Sequence, residues 1–78
     1  MKNKIDLHGL SHENALIQVE EFLLMNSFNN DLELELITGK SPKLQQKIID
    51  QILNKHKFNY YIPNHNTGMM YITDTKIN

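Results

Sequence analysis

The chain passes twice from a strand pattern, through a glycine turn, directly into a helix pattern. In the first unit Gly9 ends an alternating strand, and Ser11 follows as a favourable helix N-cap. In the second unit Gly39 ends the strand, and Ser41 precedes Pro42, a residue favoured at the first helical position. Two such units in succession predict parallel strands joined by right-handed crossover helices, and therefore an α/β fold.

Hydrophobic periodicity gives the limits of the elements. Leu32, Leu34 and Leu36 alternate with Glu33 and Glu35, which predicts a strand covered on one face and open on the other. The predicted strands span residues 4–7, 31–38, 58–63 and 69–74, the predicted helices residues 12–25 and 42–56, and the predicted connections residues 26–30 and 64–68. The predicted core stripes are Ala15, Leu16, Val19, Phe22 and Leu23, followed by Leu44, Ile48, Ile49, Ile52 and Leu53.

The order of the strands follows from one proline. Pro63 cannot donate to a β-ladder, so the third strand is expected at an edge of the sheet. The predicted fold is then a two-layer β-α-β-α-β-β sandwich, with a four-stranded mixed sheet in the order 1-2-4-3 and both helices on one face. Residues 1–78 are expected to form a single domain, with its core at about residues 4–74.

Composition narrows the classes of function. The formal net charge is −1, which excludes a general nucleic-acid coat protein and makes any nucleic-acid contact local. All eight basic residues are lysines, so no bidentate arginine fork can bind phosphate. Without cysteine, neither a disulfide nor a thiolate metal site can form. We expect a cytoplasmic location and no membrane contact, because the chain shows neither an apolar span nor a signal peptide.

Three unusual segments are expected at the same edge of the sheet, because the carboxyl ends of parallel strands meet there. These segments are residues 6–9, 38–41 and 64–68. In the first of them Asp6 and His8 stand two apart on a strand, so the carboxylate could orient the imidazole as an acid or base. Taken alone, these two residues are more often a surface aspartate and a histidine that caps a turn.

Lysine and histidine residues add further candidates. Lys40 begins a helix whose N–H groups and dipole favour an anion, although an ordinary glycine turn with a capped helix has the same pattern. His65 lies in the third segment and is a candidate binding residue. By contrast, His12 forms no metal-ligand pair on its helix, and His56 suits the negative end of a helix dipole. The three strand tyrosines could stack on bases, but strand aromatics more often serve packing.

Taken together, these motifs resemble the Smr domain, the small MutS-related module. Its opening motif, aliphatic-Asp-Leu-His-Gly, stands at residues 5–9, its Gly-Lys-Gly-like turn at residues 38–41, and its final strand after a glycine turn at residues 66–72. The resemblance covers residues 5–73 and implies a fold like the C-terminal domain of bacterial translation initiation factor three. It also implies binding to DNA or RNA and, in several members, endonuclease cleavage.

The resemblance implies roles for individual residues. Asp6 and His8 would belong to the active site, with Asp6 orienting the imidazole for proton transfer. Gly39 and Lys40 would bind the phosphate backbone, and Gly68 would shape a third wall of the site.

Three positions depart from the family pattern. Thr38 stands where a histidine is common, Ser41 where a glycine is common, and Gln46 where a basic residue is usual. These changes remove donors and flexibility from the turn that would bind the backbone. Lys43 and Lys47 are expected to supply the missing charge.

We therefore predict a Smr-like nucleic-acid-binding domain that is an endonuclease acting on DNA or RNA. The predicted catalytic residues are Asp6 and His8, and the predicted nucleic-acid-binding residues are Gly9, Gly39, Lys40, Ser41, Lys43, Lys47, His65 and Gly68. No metal ligand is predicted, although a divalent ion such as Mg²⁺ or Mn²⁺ could assist cleavage. The alternatives are a module that binds structured RNA or DNA without cutting it, and a protein-interaction domain whose open sheet face carries Glu33 and Glu35 toward a basic partner.

Overall fold

The computed structural model describes residues 2–26 and 32–73. The second helix is continuous but changes type along its length, from α through a π-helical turn to a last α-helical turn. In chain order the elements are β1 (Lys2–Asp6), α1 (His12–Met25), β2 (Glu33–Ile37), α2 (Pro42–Ile48), the π-helical turn (Ile49–Leu53), α3 (Asn54–His56), β3 (Asn59–Tyr61) and β4 (Met69–Thr73).

The four strands form one mixed sheet in the order β1-β2-β4-β3. β1 pairs parallel with β2, while β4 pairs antiparallel with both β2 and β3. β3 therefore runs in the same direction as β1 and β2. It is an edge strand of the sheet, as expected from Pro63. The predicted strand order 1-2-4-3 is confirmed. As expected, the carboxyl-terminal ends of β1, β2 and β3 lie at the same end of the sheet.

The core lies between one face of the sheet and the helices. Its strand residues include Leu34, Leu36, Met70 and Ile72, all of which are almost inaccessible to solvent. From the helices, the fully buried members are Ala15, Val19, Leu23, Leu44, Ile48, Ile52 and Leu53. The other predicted stripe residues, Leu16, Phe22 and Ile49, are partly buried against this cluster. Because both helical stripes pack on the same side, the predicted two-layer arrangement is confirmed.

Helix capping matches the sequence signals. The Ser11 hydroxyl accepts a hydrogen bond from the backbone N–H of Asn14 at 3.1 Å, and α1 begins and ends where its periodicity predicts. Ser41 caps the second helix in the same way, with Leu44 as donor at 3.3 Å. The π-helical turn was not predicted. Apolar residues four positions apart fit both an α-helical turn and the wider π-helical turn, so their spacing does not distinguish the two. Residues 27–30 of the predicted loop lie outside the described part of the chain.

The opposite face of the sheet is open. One row of side chains crosses it from β1 to β3, in the order Lys4, Glu35, Tyr71 and Tyr61. The Lys4 ammonium lies 3.8 Å from the Glu35 carboxylate, and the two tyrosine rings stack with centroids 5.0 Å apart. Among the described residues, no helix has the length and apolar character needed to cross a bilayer.

Candidate nucleic-acid interface

Three turns meet where β1, β2 and β3 end. They are turn 1 (residues 6–11), turn 2 (residues 38–41) and turn 3 (residues 64–68), and together we call them the three-turn edge. The backbone N–H groups of Thr38 and Gly39 both donate to the carbonyl oxygen of Gly68, at 2.9 and 3.0 Å. A methyl group placed on Gly39 would lie 3.9 Å from Cδ2 of the His8 imidazole. Gly39 is therefore the point at which all three turns approach one another.

Turn 1 is held by the carboxylate of Asp6. Its Oδ1 accepts a hydrogen bond from the backbone N–H of His8 at 2.9 Å, and Leu10 N–H donates to the carbonyl of Leu7 at 3.0 Å. The predicted shared strand face of Asp6 and His8 does not form, because β1 ends at Asp6 and the chain turns immediately afterwards. Within the described part of the chain, no hydrogen bond joins this carboxylate to the imidazole. Asp6 therefore acts on His8 through the backbone of the turn, while His8 and Gly9 are exposed at its tip.

Most backbone N–H donors of turn 2 already have acceptors within the domain. Gly39 has a φ of 70°, a left-handed conformation that favours glycine, and its N–H is bound to turn 3. The Ser41 N–H donates to the Gly39 carbonyl at 2.8 Å. Among the described residues, the Lys40 N–H has no acceptor, and the Lys40 side chain is exposed. An anion at this turn would therefore meet the amide and the ammonium of one residue, Lys40.

A buried polar network ties the second helix to turns 2 and 3. Gln45 is only 7% exposed and Thr38 only 5% exposed. The Gln45 side-chain amide donates to the Thr38 hydroxyl at 2.9 Å and to the Thr67 carbonyl at 2.8 Å. The Thr38 hydroxyl in turn lies 2.8 Å from the Gly39 carbonyl and 3.1 Å from that of Gly68. This network fixes the relative positions of turns 2 and 3.

Gln45 was missed as a site residue by the sequence prediction. Two signals for the network were present, because Gln45 falls on the same helical stripe as Ile48, Ile49 and Ile52, and Thr38 continues the buried alternation of β2. A polar side chain on a buried stripe usually has a specific partner.

The remaining candidate side chains are distributed around the edge. Lys47 Nζ lies 3.2 Å from His12 Nδ1, so the ammonium donates to a ring nitrogen at the start of α1. Lys43 is exposed in the first turn of α2, and His65 is exposed in turn 3. His56 lies at the other end of the second helix, where its Nε2 is 3.1 Å from the Glu20 carboxylate. The described residues contain no group of three or more histidine, aspartate or glutamate side chains suited to hold a metal ion.

The sequence profile of the Smr domain matches residues 5–72. The chain belongs to the Smr domain family. It is also similar to the protein named Endonuclease MutS2 from Staphylococcus aureus, with 35% identity over 57 residues. That alignment covers 73% of this chain but 8% of the relative, and the same protein from strain Newman gives 35% identity with 7% of its length covered. The chain thus spans less than a tenth of the length of these relatives.

The three departures from the Smr pattern have distinct structural settings. Thr38 replaces the common histidine with a buried hydroxyl that belongs to the polar network. Ser41 replaces the common glycine and caps the second helix. Gln46 stands at the usual basic position, where its side chain donates to the Asp50 carboxylate at 3.0 Å, and the next residue, Lys47, carries a positive charge toward α1.

Gly68→Ala should destabilise the domain by about 1–3 kcal/mol. A methyl group on Gly68 would lie 3.3 Å from the carbonyl carbon of Gly39, a backbone atom that can retreat only by disturbing the hydrogen bonds between turns 2 and 3. Urea unfolding followed by circular dichroism measures the change. Thr67→Ala is the matched control, because that side chain is exposed in the same turn. Equal stability of the two variants would show that the close approach of Gly68 to Gly39 has no energetic importance.

Proposed function

We propose that this Smr domain binds DNA or RNA at the three-turn edge and cleaves the phosphodiester backbone there. The observation that carries the proposal is the approach of the exposed His8 imidazole to Gly39, the residue that precedes the exposed Lys40. This pairs a proton-transfer group with a phosphate-binding group. The similarity to proteins named Endonuclease MutS2 supports the same conclusion.

Phosphate binding rests on lysines at the start of the second helix. Lys40 offers an ammonium group and a backbone N–H without an internal acceptor among the described residues. Lys43 and Lys47 are four residues apart, so they lie on the same side of the helix. Lysine ammonium groups bind phosphate as point charges, and contacts with phosphate carry no sequence information, so the proposed contact follows the backbone rather than the sequence of the nucleic acid.

Cleavage would depend on His8. An exposed imidazole can accept a proton from the attacking hydroxyl or water, or return one to the leaving oxygen. Asp6 would hold the turn that presents the ring, through its hydrogen bond to the His8 backbone N–H. Removal of such a proton-transfer group typically lowers the rate of cleavage by about 10²–10⁴-fold.

A second candidate function is binding without cleavage. The contact of the Asp6 carboxylate with a backbone amide, rather than with the imidazole, favours it, because an acid–base histidine usually has a partner that orients its ring. In that case the three-turn edge would recognise structured RNA or DNA through its lysines alone.

A cleavage assay distinguishes these two functions. Purified protein is incubated with labelled structured RNA and with supercoiled DNA, with and without Mg²⁺ or Mn²⁺, beside His8→Ala and the control His56→Ala. We expect cleavage by the wild type and by His56→Ala, and a loss of about 100-fold or more in His8→Ala with binding retained. Binding without cleavage by the wild type would support the second candidate. Unchanged cleavage by His8→Ala would contradict the assigned role of the imidazole, and absence of binding would contradict both candidates.

A further inference from the structure

A groove of about 670 Å³ lies between α1 and the π-helical turn, in the helical layer of the domain. Its residues differ entirely from those of the three-turn edge. Apolar side chains from both helices line it, namely Leu16, Ile17 and Ile52, and polar or charged side chains complete it, namely Glu13, Glu20, Asp50, Gln51 and Lys55. The groove therefore combines an apolar surface with a charged border.

One apolar side chain in the groove, that of Ile17, is only half covered by the rest of the domain. Ile17 is 50% exposed, while Leu16 is partly buried and Ile52 is 2% exposed. A single exposed isoleucine on a convex surface has no particular meaning. Here, however, it lines a concavity between two helices, where one apolar side chain of a ligand could cover it.

The charged border is predominantly acidic. Glu13, Glu20 and Asp50 contribute three carboxylates, against the single ammonium of Lys55. Lys55 Nζ lies 3.9 Å from Glu20, the same carboxylate that contacts His56. Glu13 has no cationic partner among the described residues, and Asp50 accepts only from the neutral amide of Gln46. Two carboxylates thus remain available to cations from outside the domain, and they would repel phosphate.

The wall that carries Asp50, Gln51 and Ile52 is the π-helical turn. A π-helical turn widens the helix by one residue per turn and is often found at functional sites. Its position in the wall of this groove is a second unusual feature, independent of the charge of the groove.

We propose that this groove binds a basic amphipathic helix of a partner protein. An apolar side chain of that helix would cover Ile17, and lysine or arginine side chains on either side of it would reach Glu13 and Asp50. Charge complementarity selects this occupant, since the border has more carboxylates than ammonium groups and the floor is apolar, which is the combination that helix-in-groove recognition uses. The proposal does not depend on the function of the three-turn edge, because the two surfaces share no residue.

An NMR titration tests the proposal. The probe is a peptide of about 18 residues in which leucines recur at helical spacing and lysines fill the other positions, and its counterpart has glutamate in place of lysine. We expect saturable shifts of backbone amides at residues 13–20 and 50–55 with the lysine peptide and none with the glutamate peptide. No saturable shift up to millimolar peptide, or shifts confined to other surfaces, would overturn the proposal.

Two pairs of variants make the test specific. Ile17→Ser and Asp50→Lys should each weaken the lysine peptide by about fivefold, because one removes the apolar contact and the other reverses a charge at the border. Leu24→Ser and Glu21→Lys are the matched controls, since both side chains are exposed on α1 outside the groove. We expect the controls to change the dissociation constant by less than about twofold. Equal weakening by the variants and their controls would show nonspecific attraction and would overturn the proposal.

Discussion

Lys40→Ala is expected to weaken binding of structured RNA and duplex DNA by about tenfold at low salt, with a corresponding loss of salt dependence. The ammonium is exposed at turn 2, next to a backbone N–H that has no acceptor among the described residues. Loss of the proposed phosphate contact should reduce the magnitude of the slope of log K against log salt by about 0.7–0.9. Fluorescence anisotropy of labelled nucleic acid, measured at several salt concentrations, gives both quantities.

Lys4→Ala is the control for this effect. Lys4 is equally a surface lysine, but it lies on the open sheet face, where it pairs with Glu35. The two variants have the same net charge, so a purely nonspecific attraction would weaken binding equally in both. If Lys4→Ala reduces affinity as much as Lys40→Ala does, the three-turn edge is not the phosphate-binding surface.

Gln45→Leu is expected to lower the free energy of unfolding by about 2–3 kcal/mol. The substitution places an apolar side chain of similar size at the buried position and removes the donor to the Thr38 hydroxyl and the Thr67 carbonyl. Buried polar groups that lose a partner cost more than the hydrogen bond itself contributed. For a domain of this size the loss is a large part of the total stability.

Gln46→Leu is a close control, since it changes the adjacent residue in the same way. Its side chain is exposed and donates to Asp50 at the surface, so we expect a change within about 0.5 kcal/mol. Hydrogen exchange adds a local test, because the N–H groups of Thr38 and Gly39 should exchange faster in Gln45→Leu if the network holds turns 2 and 3 together. Equal stability of the two variants would contradict that role.

Most of the fold could be predicted because its determinants are local. The element order and the strand order could be predicted from local signals. These signals are the alternation in β2, the helix caps at Ser11 and Ser41, and the missing N–H donor of Pro63. The exact ends of the strands depend instead on pairing with distant strands. That is why β3 is limited to Asn59–Tyr61 although the pattern extends further.

The location of the candidate site could be predicted from the sequence, but the contacts within it could not. Parallel topology is sufficient to bring the ends of β1, β2 and β3 together, so the meeting of the three turns follows from strand order. The hydrogen bond of Asp6 to a backbone amide depends on where β1 stops, which periodicity does not specify. The network of Thr38 and Gln45 joins groups separated by up to 30 residues in sequence, and only the packed structure reveals which partners they reach.

We expect the three-turn edge, and not the open sheet face, to bind nucleic acid. Backbone amide shifts during titration of the isotope-labelled domain with structured RNA and with duplex DNA test it most directly. The largest shifts are expected in turns 1 and 2 and around Gly68, with Tyr61 and Tyr71 unaffected. Shifts concentrated on Tyr61, Tyr71 and their neighbours across the sheet, with the three turns unchanged, would contradict it.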